Sequence, residues 1–298
     1  MEIARDPDET LGYVDTNVDA RGVSKGLSER DFVRLSTFIH SEYGIKIPPF
    51  KKTMLETRLQ KRLRARGMKS FKDYCEYVFS PNGMENEVVY MIDVVTTNKT
   101  DFFREPEHFR FMTERALPEL IRGDRHLSVW SAGCATGEEP YTLAMVLGEF
   151  LDREARGGFG FVIYGTDIST RVLETARQGI YGEERVSTVP LELKRKYLLR
   201  SKDKTKRLIR IAPELRAKVA FSRLNLMDTD FGFRTRMHII FCRNVIIYFD
   251  RETQENLVRK MCRNLAVNGY LFMGHSETLH GMDVPLVQVA PTVYRKSN

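Results

Sequence analysis

The run from Val129 to Leu147, VWSAGCATGEEPYTLAMVL, restricts the possible folds of this chain more than any other. Leu127–Trp130 is a short apolar run of the kind that forms a buried strand. Small residues from Ser131 to Gly137 make a turn, and Glu138-Glu139-Pro140 opens a helix. Pro140 fits a first helical turn, where a missing N–H costs nothing. Tyr141, Ala144, Met145 and Gly148 then recur at helical spacing. A strand, a Gly/Ala turn and a helix let a ligand come close to the backbone. The turn has neither the lysine of a P-loop nor a full G-x-G-x-x-G. Its two acids make it a poor seat for a pyrophosphate and suit a ligand with hydroxyls or positive charge, and S-adenosylmethionine has both. Carboxylates near helix N-terminal amides are stabilised in any case. On this stretch alone a nucleoside-type cofactor and a merely tight turn stand level.

The next strand tips the balance. Phe161–Asp167 is an apolar run ending in an acid, followed by Ile168-Ser169 and a helical pattern through Val172, Leu173 and Ala176. An acid closing the second strand of a βαβ unit is placed to accept hydrogen bonds from ribose hydroxyls. The duller role for Asp167 or Ser169 is to cap the following helix. With the first loop in view, the ribose reading is the better one.

The length of 298 residues allows one large or two modest domains, and 42% hydrophobic residues is a globular composition. No apolar run is long enough to span a bilayer, and the first residues lack the basic-then-apolar pattern of a signal peptide, so a cytoplasmic protein is expected. Cys75, Cys134, Cys242 and Cys262 form no C-x-x-C pair and read as reduced thiols rather than a disulfide framework or zinc site. A net charge of +7 favours an acidic partner, either nucleic acid or a glutamate-rich protein surface.

Residues 1–26 show no periodicity and read as a mobile arm. Ser28 looks like a helix cap with an acid three residues on, and Phe32, Leu35, Ile39 and Tyr43 form a stripe ending at Gly44. A second helix over Lys51–Arg66 buries Leu55, Leu59 and Leu63 and stops at Gly67. It carries seven basic residues against one acid, Glu56. Such a run is often only a solvated face, and the sharper reading is an electrostatic dock for an acidic helical partner. Further helices near Phe71–Phe79 and Met84–Val95 complete an all-helical domain over 27–95.

Thr96–Glu105 is polar, then doubly aromatic, then charged. A plain linker rarely carries Phe-Phe-Arg, so 96–108 reads as a segment folded onto a pocket. Residues 109–298 form the second domain. Near 195–221 alternating apolar and basic residues flank the polar turn Ser201–Lys206, predicting an inserted antiparallel hairpin, with Lys218–Leu224 as a return strand. Met237–Cys242 is a buried central strand leading into Arg243-Asn244 and Tyr248. A helix through Leu257, Met261 and Leu265, the strand Gly269–Gly274 and a terminal strand pair near Leu286–Val289 and Thr292–Arg295 complete the chain.

The strings TTNKTDFFRE, WSAGCATGEEPYTLAM, YGTDIS, RLNL, FCRNVIIYFD and LFMGHSE occur in this order. Together they resemble the chemotaxis receptor methyltransferases, the CheR type of protein-glutamate O-methyltransferase, over about Ser28 to Arg295. The resemblance implies an α/β class I S-adenosylmethionine-dependent methyltransferase fold, with a mainly parallel seven-stranded sheet. It also implies an all-helical N-terminal domain and an inserted small antiparallel β subdomain. Its implied function is methyl transfer to glutamate side chains on the cytoplasmic helical domain of methyl-accepting chemoreceptors, giving methyl esters and S-adenosylhomocysteine. By the family pattern Asn98, Thr100 and Arg104 reach over the cofactor, Glu138 lies beside the first loop and Asp167 holds the ribose. Asn225 and Leu226 frame the adenine, and Arg243 and Asn244 finish the pocket. Arg104, Arg243 and Tyr248 are placed nearest the transferring methyl, and Arg58, Arg62 and Arg66 dock the substrate. No metal is implied.

Duller roles stand beside these. Tyr248 can be a packing aromatic, Asn98 and Thr100 can cap a helix, and His275 reads as structural because no serine nucleophile accompanies it. Cys134 matters for its size. Where some members hold a receptor's C-terminal pentapeptide with a glycine-rich hairpin turn, this chain has Ser-Lys-Asp-Lys-Thr-Lys. Recognition without that tether, through Lys51–Arg66, is therefore expected, with no nucleic acid and no membrane insertion. An RNA methyltransferase and a cofactor-binding scaffold without catalysis are the alternatives. The first lacks stacked aromatics, and intact Arg104, Arg243 and Tyr248 argue against the second.

Overall fold

The computed structural model describes residues 26–122, 126–154 and 159–297. The expected arm of residues 1–26 lies, except for its last residue, outside the described residues. The chain divides into two compact units, one made of the described residues up to Thr37 with Ile47–Val94, the other of Phe38–Lys46 with Val95 onward.

The first unit is helical: α1 (Glu29–Tyr43), α2 (Lys52–Arg66), α3 (Phe71–Val78), α4 (Pro81–Asn86) and α5 (Val88–Val95), with the end of α1 counted in the second unit. The Ser28 hydroxyl oxygen accepts from the Asp31 amide at 3.1 Å and opens α1. Gly67, at φ +66°, closes α2 in the left-handed conformation that glycine adopts without strain. Leu55, Leu59 and Leu63 are buried, as their spacing predicts. The helix expected over Met84–Val95 is instead two. Its break falls at Glu87, whose fully buried carboxylate accepts from Arg62 Nε (2.7 Å), Arg66 Nε (2.6 Å) and the Tyr74 hydroxyl (3.0 Å). Two of the three arginines expected to dock a partner are thus engaged inside the unit. Their guanidinium groups also lie over the rings of Tyr90 and Tyr77. Arg58 is half-buried with an interaction of its own, which leaves Lys61 and Arg64 as exposed basic residues on α2.

In the second unit α6 (Pro106–Phe111) continues through a π turn (Met112–Ala116) into α7 (Leu117–Leu120). Next come β1 (His126–Ala132), α8 (Glu138–Arg153), β2 (Gly160–Asp167), α9 (Thr170–Gln178) and β3 (Ile180–Gly182). They are followed by α10 (Leu191–Tyr197), β4 (Leu198–Arg200), β5 (Leu208–Ile211), α11 (Pro213–Arg216) and β6 (Val219–Arg223). The unit ends with β7 (Met237–Cys242), α12 (Arg251–Asn264), β8 (Leu265–Met273), β9 (Leu286–Ala290) and β10 (Val293–Lys296). The large sheet has seven strands in the order β6-β2-β1-β7-β8-β10-β9. It is parallel through β8, with β10 antiparallel to both neighbours, which is the expected mainly parallel sheet. Alternation along the strands sends Val129, Ile163, Phe241 and Phe272 into one core, and Trp130, Ile240, Cys242 and Leu271 into another. Burial on both faces is why these strands read as continuous apolar runs.

A separate antiparallel sheet, β3-β5-β4, is the inserted subdomain. It starts earlier and ends earlier than the expected 195–221. Ile180–Gly182 is too short to show alternation in sequence, and Val219–Arg223 pairs in parallel with β2 rather than with the hairpin. In the hairpin turn the Asp203 carboxylate accepts from the Thr205 amide at 3.0 Å. Arg207 takes the left-handed position at φ +43° that a glycine would otherwise fill.

In the helical unit, burial raises the Glu87 pKa but hydrogen bonds from Arg62 and Arg66 outweigh it and hold the carboxyl below the usual range. Its stabilisation is therefore complete above the ordinary carboxylate value of about 4.3 and is lost as the pH falls further. Glu87→Gln is expected to cost about 3–5 kcal/mol at neutral pH in urea unfolding, and the gap from wild type should shrink in acid.

Candidate active site

The loop between β1 and α8 turns its amides inward. Gly133 N and Cys134 N both donate to the Thr166 carbonyl, at 2.8 and 2.9 Å, and Ala135 N donates to Asp167 Oδ2 at 2.9 Å. Gly133, Ala135 and Gly137 all have positive φ, which gives the loop its curl. A Cβ at Gly133 would lie 2.5 Å from Val245 Cγ2, so a side chain there collides with the neighbouring segment. Three successive amides are thus committed to the β2 end and present nothing to a phosphate, unlike a P-loop. Asp167 takes a second amide, Ser169 N, on Oδ1 at 2.9 Å, and the Ser169 side chain caps α9. The two readings of this acid are not exclusive, because a carboxylate offers about four acceptor positions. Burial pushes the Cys134 thiol well above its usual pKa, so it is no nucleophile.

Both acids opening α8 are buried and paired. Glu138 accepts from the Thr136 hydroxyl at 2.6 Å and from Arg185, whose Nη2 also donates to the Thr100 carbonyl at 3.0 Å. Nothing in the sequence around Arg185 marked it. Glu139 accepts from the Ser131 hydroxyl at 2.6 Å and from Arg243 Nε at 2.7 Å.

The Asn98–Glu105 segment is pinned at several points. The Phe103 amide donates to Thr142 Oγ1 (3.2 Å), Thr188 Oγ1 to the Phe102 carbonyl (2.8 Å) and Arg243 Nη1 to the Arg104 carbonyl (2.6 Å). Phe103 and Glu105 sit at φ +54° and +56°, conformations that only such over-determination sustains in non-glycine residues. Asn98 and Thr100 start no helix: the next one, α6, begins at Pro106. Asn98 Nδ2 donates to Thr96 Oγ1 at 3.2 Å, and Thr100 is buried. Arg104 is half-buried, and its Nη1 donates to the Lys99 carbonyl at 3.2 Å.

Arg243 is a buried strut. Besides Glu139 and the Arg104 carbonyl, its Nη1 lies 3.4 Å from His108 Nδ1 and 3.5 Å from Glu105 Oε2, and its guanidinium lies over the rings of Phe109 and Phe241. Glu105, His108 and His275 have ligand atoms close enough for a metal ion, yet this guanidinium already places a positive charge among them. Burial, and then the Arg243 charge, drive the His108 pKa down to about 3 and keep the ring neutral.

Asn244, at φ +58°, has a buried side-chain oxygen that accepts no hydrogen bond among the described residues. The Glu277 carboxylate accepts from four backbone amides, those of Gly274 (2.7 Å), Asn244 (2.8 Å), Val245 (2.9 Å) and Ile246 (2.9 Å). Sequence reasoning weighed His275 in this GHSE string and passed over the acid two residues on. Tyr248 is half-buried on the 3₁₀ turn Ile246–Tyr248, with its carbonyl accepting from Lys46 N at 2.8 Å. Asn225 Nδ2 donates to the Glu42 carbonyl and its Oδ1 accepts from Met227 N, so its amide is engaged at both ends. Half-buried Leu226 follows it, its carbonyl accepting from Lys260 Nζ.

Two family profiles match this chain: "CheR methyltransferase, all-alpha domain" over residues 30–96 and "CheR methyltransferase, SAM binding domain" over residues 98–294. A chemotaxis protein methyltransferase of Borreliella burgdorferi is 37% identical over 95% of this chain and 100% of its own length. Proteins of that description from Klebsiella aerogenes and Escherichia coli are 38% and 36% identical, covering 90% and 91% of this chain and 90% and 92% of their own.

Removing the guanidinium leaves Glu139 charged and unpaired in the interior. Arg243→Met is expected to cost about 3–5 kcal/mol in denaturant unfolding. Adding Glu139→Gln should recover much of that loss, because the pair then disappears together.

Proposed function

This chain belongs to the CheR methyltransferase family and is an S-adenosylmethionine-dependent methyltransferase of chemotaxis; we propose that it esterifies glutamate side chains of chemoreceptors through the residues at the carboxyl edge of its large sheet. The observation that carries the assignment of the site is the unpartnered buried oxygen of Asn244 beside a loop whose amides face away. That combination suits an adenosine bearing N–H, O–H and positive charge but no phosphate. Asp167 would hold the ribose hydroxyls, and Glu138 would lie beside the first loop with its charge met by Arg185. Asn225 would shape the adenine side through its turn, with Leu226 against the base. Asn98, Thr100 and Arg104 would cover the cofactor from the linker.

When bound, S-adenosylmethionine supplies a methyl group made electrophilic by its sulfonium. A substrate glutamate is already ionised at neutral pH, so the chain has no proton to remove. The reaction cancels a negative and a positive charge, and water resists it by solvating both. What the residues must do is exclude water and hold the carboxylate in line. Arg104, a half-buried residue, steers the carboxylate. Tyr248 orients it through its hydroxyl. Arg243, also expected near the methyl, is better read as the strut that sets the Arg104 backbone, because its own guanidinium is engaged with Glu139.

For docking, the exposed Lys61 and Arg64 of α2 are better candidates than Arg62 and Arg66, with Arg58 beside them. The hairpin turn without glycine supports recognition independent of a receptor tail, and the acidic target is the receptor's cytoplasmic helical domain. Such a target would have the enzyme act in the cytoplasm. No helix among the described residues is long and apolar enough to cross a membrane.

Incubation with methyl-labelled cofactor and receptor membranes is expected to give label released by mild base; base-stable label would overturn the ester assignment. Tyr248→Phe should lower kcat by at least about tenfold while leaving affinity for S-adenosylhomocysteine nearly unchanged in calorimetry. Equal losses in both would remove Tyr248 from the methyl end. Lys61→Glu with Arg64→Glu should raise KM for receptor severalfold in a salt-dependent way, and a receptor tail peptide should give no low-micromolar binding heat.

A further inference from the structure

We propose that Glu277 is the positioning residue of the methyl-transfer site, an internal anion seated in a nest of main-chain amides that fixes both Asn244 and Tyr248. The proposal rests on the functional reading above for what those two residues do, and on geometry for what Glu277 does.

Successive amides at Asn244, Val245 and Ile246 converge on one point because Asn244 adopts the left-handed conformation and the next residues turn right-handed. A run of backbone N–H groups in that alternation forms a concavity for an anion. In this chain the concavity is filled from within. Glu277 Oε1 takes the Val245 and Ile246 amides, and Oε2 takes those of Asn244 and Gly274. The carboxylate is buried, with 3% of the residue exposed, and it is the shared acceptor for two segments that follow neighbouring strands of the sheet. A glutamine supplies one carbonyl oxygen in place of two and points an N–H₂ at amides that are themselves donors.

The pinned segment carries the functional groups. Its first residue is Asn244, whose side-chain oxygen is buried and without a partner. Its last turn, Ile246–Tyr248, sets the direction of the Tyr248 ring. A Cβ at Gly274 would lie 2.7 Å from Asn244 Nδ2 and 2.8 Å from Glu277 Oε2, so the two segments meet without spare room. Released from the carboxylate, the left-handed turn at Asn244 has four unpaired amides nearby and little to hold it. Loss of the anion therefore disorganises the cofactor contact and the substrate contact together, while the strands that bear them remain paired.

The test uses the full-length enzyme with receptor membranes. Glu277→Ala is expected to lower kcat by about 10–100-fold per folded molecule, as removal of a supporting partner does in other sites. Folded molecules are counted by the stoichiometry of S-adenosylhomocysteine binding at saturation. Because the variant leaves an empty anion nest of carboxylate size, formate at tens of millimolar should restore a large part of kcat in Glu277→Ala and leave wild type unchanged. Glu277→Gln, whose amide fills the nest with a donor, should be impaired and insensitive to formate. A kcat for Glu277→Ala within twofold of wild type per folded molecule, or formate raising its melting temperature without raising kcat, would overturn the proposal. If Glu277→Ala fails to fold, Glu277→Asp, one methylene shorter, is measured in its place and must show the same fall in kcat. Tyr248→Phe is assayed alongside. A normal Tyr248→Phe with an impaired, formate-rescued Glu277→Ala would retire the reading of Tyr248 and leave that of Glu277 standing.

Discussion

The second unit depends on satisfying carboxylates that the fold carries out of water. Glu138, Glu139, Asp167 and Glu277 are all buried at or beside the carboxyl edge of the sheet. A buried charge without compensating donors costs several kcal/mol, more than any single contact repays. Each of the four therefore dictates where a distant segment must be. Glu139 requires Arg243, 104 residues away, and Glu138 requires Arg185, 47 residues away. Asp167 gathers the first loop by its Ala135 amide, and Glu277 gathers the segment after β7. The crevice is assembled by electrostatics as much as by apolar packing.

Two of these donors also reach the connecting segment before α6. Arg185 takes the Thr100 carbonyl and Arg243 the Arg104 carbonyl, so the stretch between is clasped from the side of the small sheet and from the large one. Tyr181, on β3, adds a hydroxyl bond to the Thr136 carbonyl and an edge contact with Phe102. Phe103 and Glu105 hold left-handed conformations that would relax if either clasp opened. Stiffness here matters, because a displacement reaction loses rate steeply when its three reacting atoms leave a line.

Much of this was legible beforehand, and the reasons are local. The strand, turn and helix around Gly133 combine two periodicities with a small-residue break, and Asp167 stands where an apolar run ends. The buried stripe of α2 follows from leucines four apart. What escaped were partnerships between residues far apart in sequence. Arg62 and Arg66 read as docking cations because Glu87 stands at the break between α4 and α5, 25 and 21 residues further along the chain. Arg243 read as a catalytic neighbour because its carboxylate is in α8. Glu277 was overlooked beside a more conspicuous histidine, and its role consists of main-chain amides that no side-chain pattern announces. The strand Ile180–Gly182 is too short for alternation to register.

The inward-facing amides of the loop after β1 carry a consequence for competition inside a cell. Adenine nucleotides share the base and ribose of the methyl donor. A loop that offered its N–H groups outward would welcome their polyphosphates, as many nucleotide sites do. Here Thr166 and Asp167 have already claimed the amides of Gly133, Cys134 and Ala135. A polyphosphate brought to this turn would find those three amides already taken.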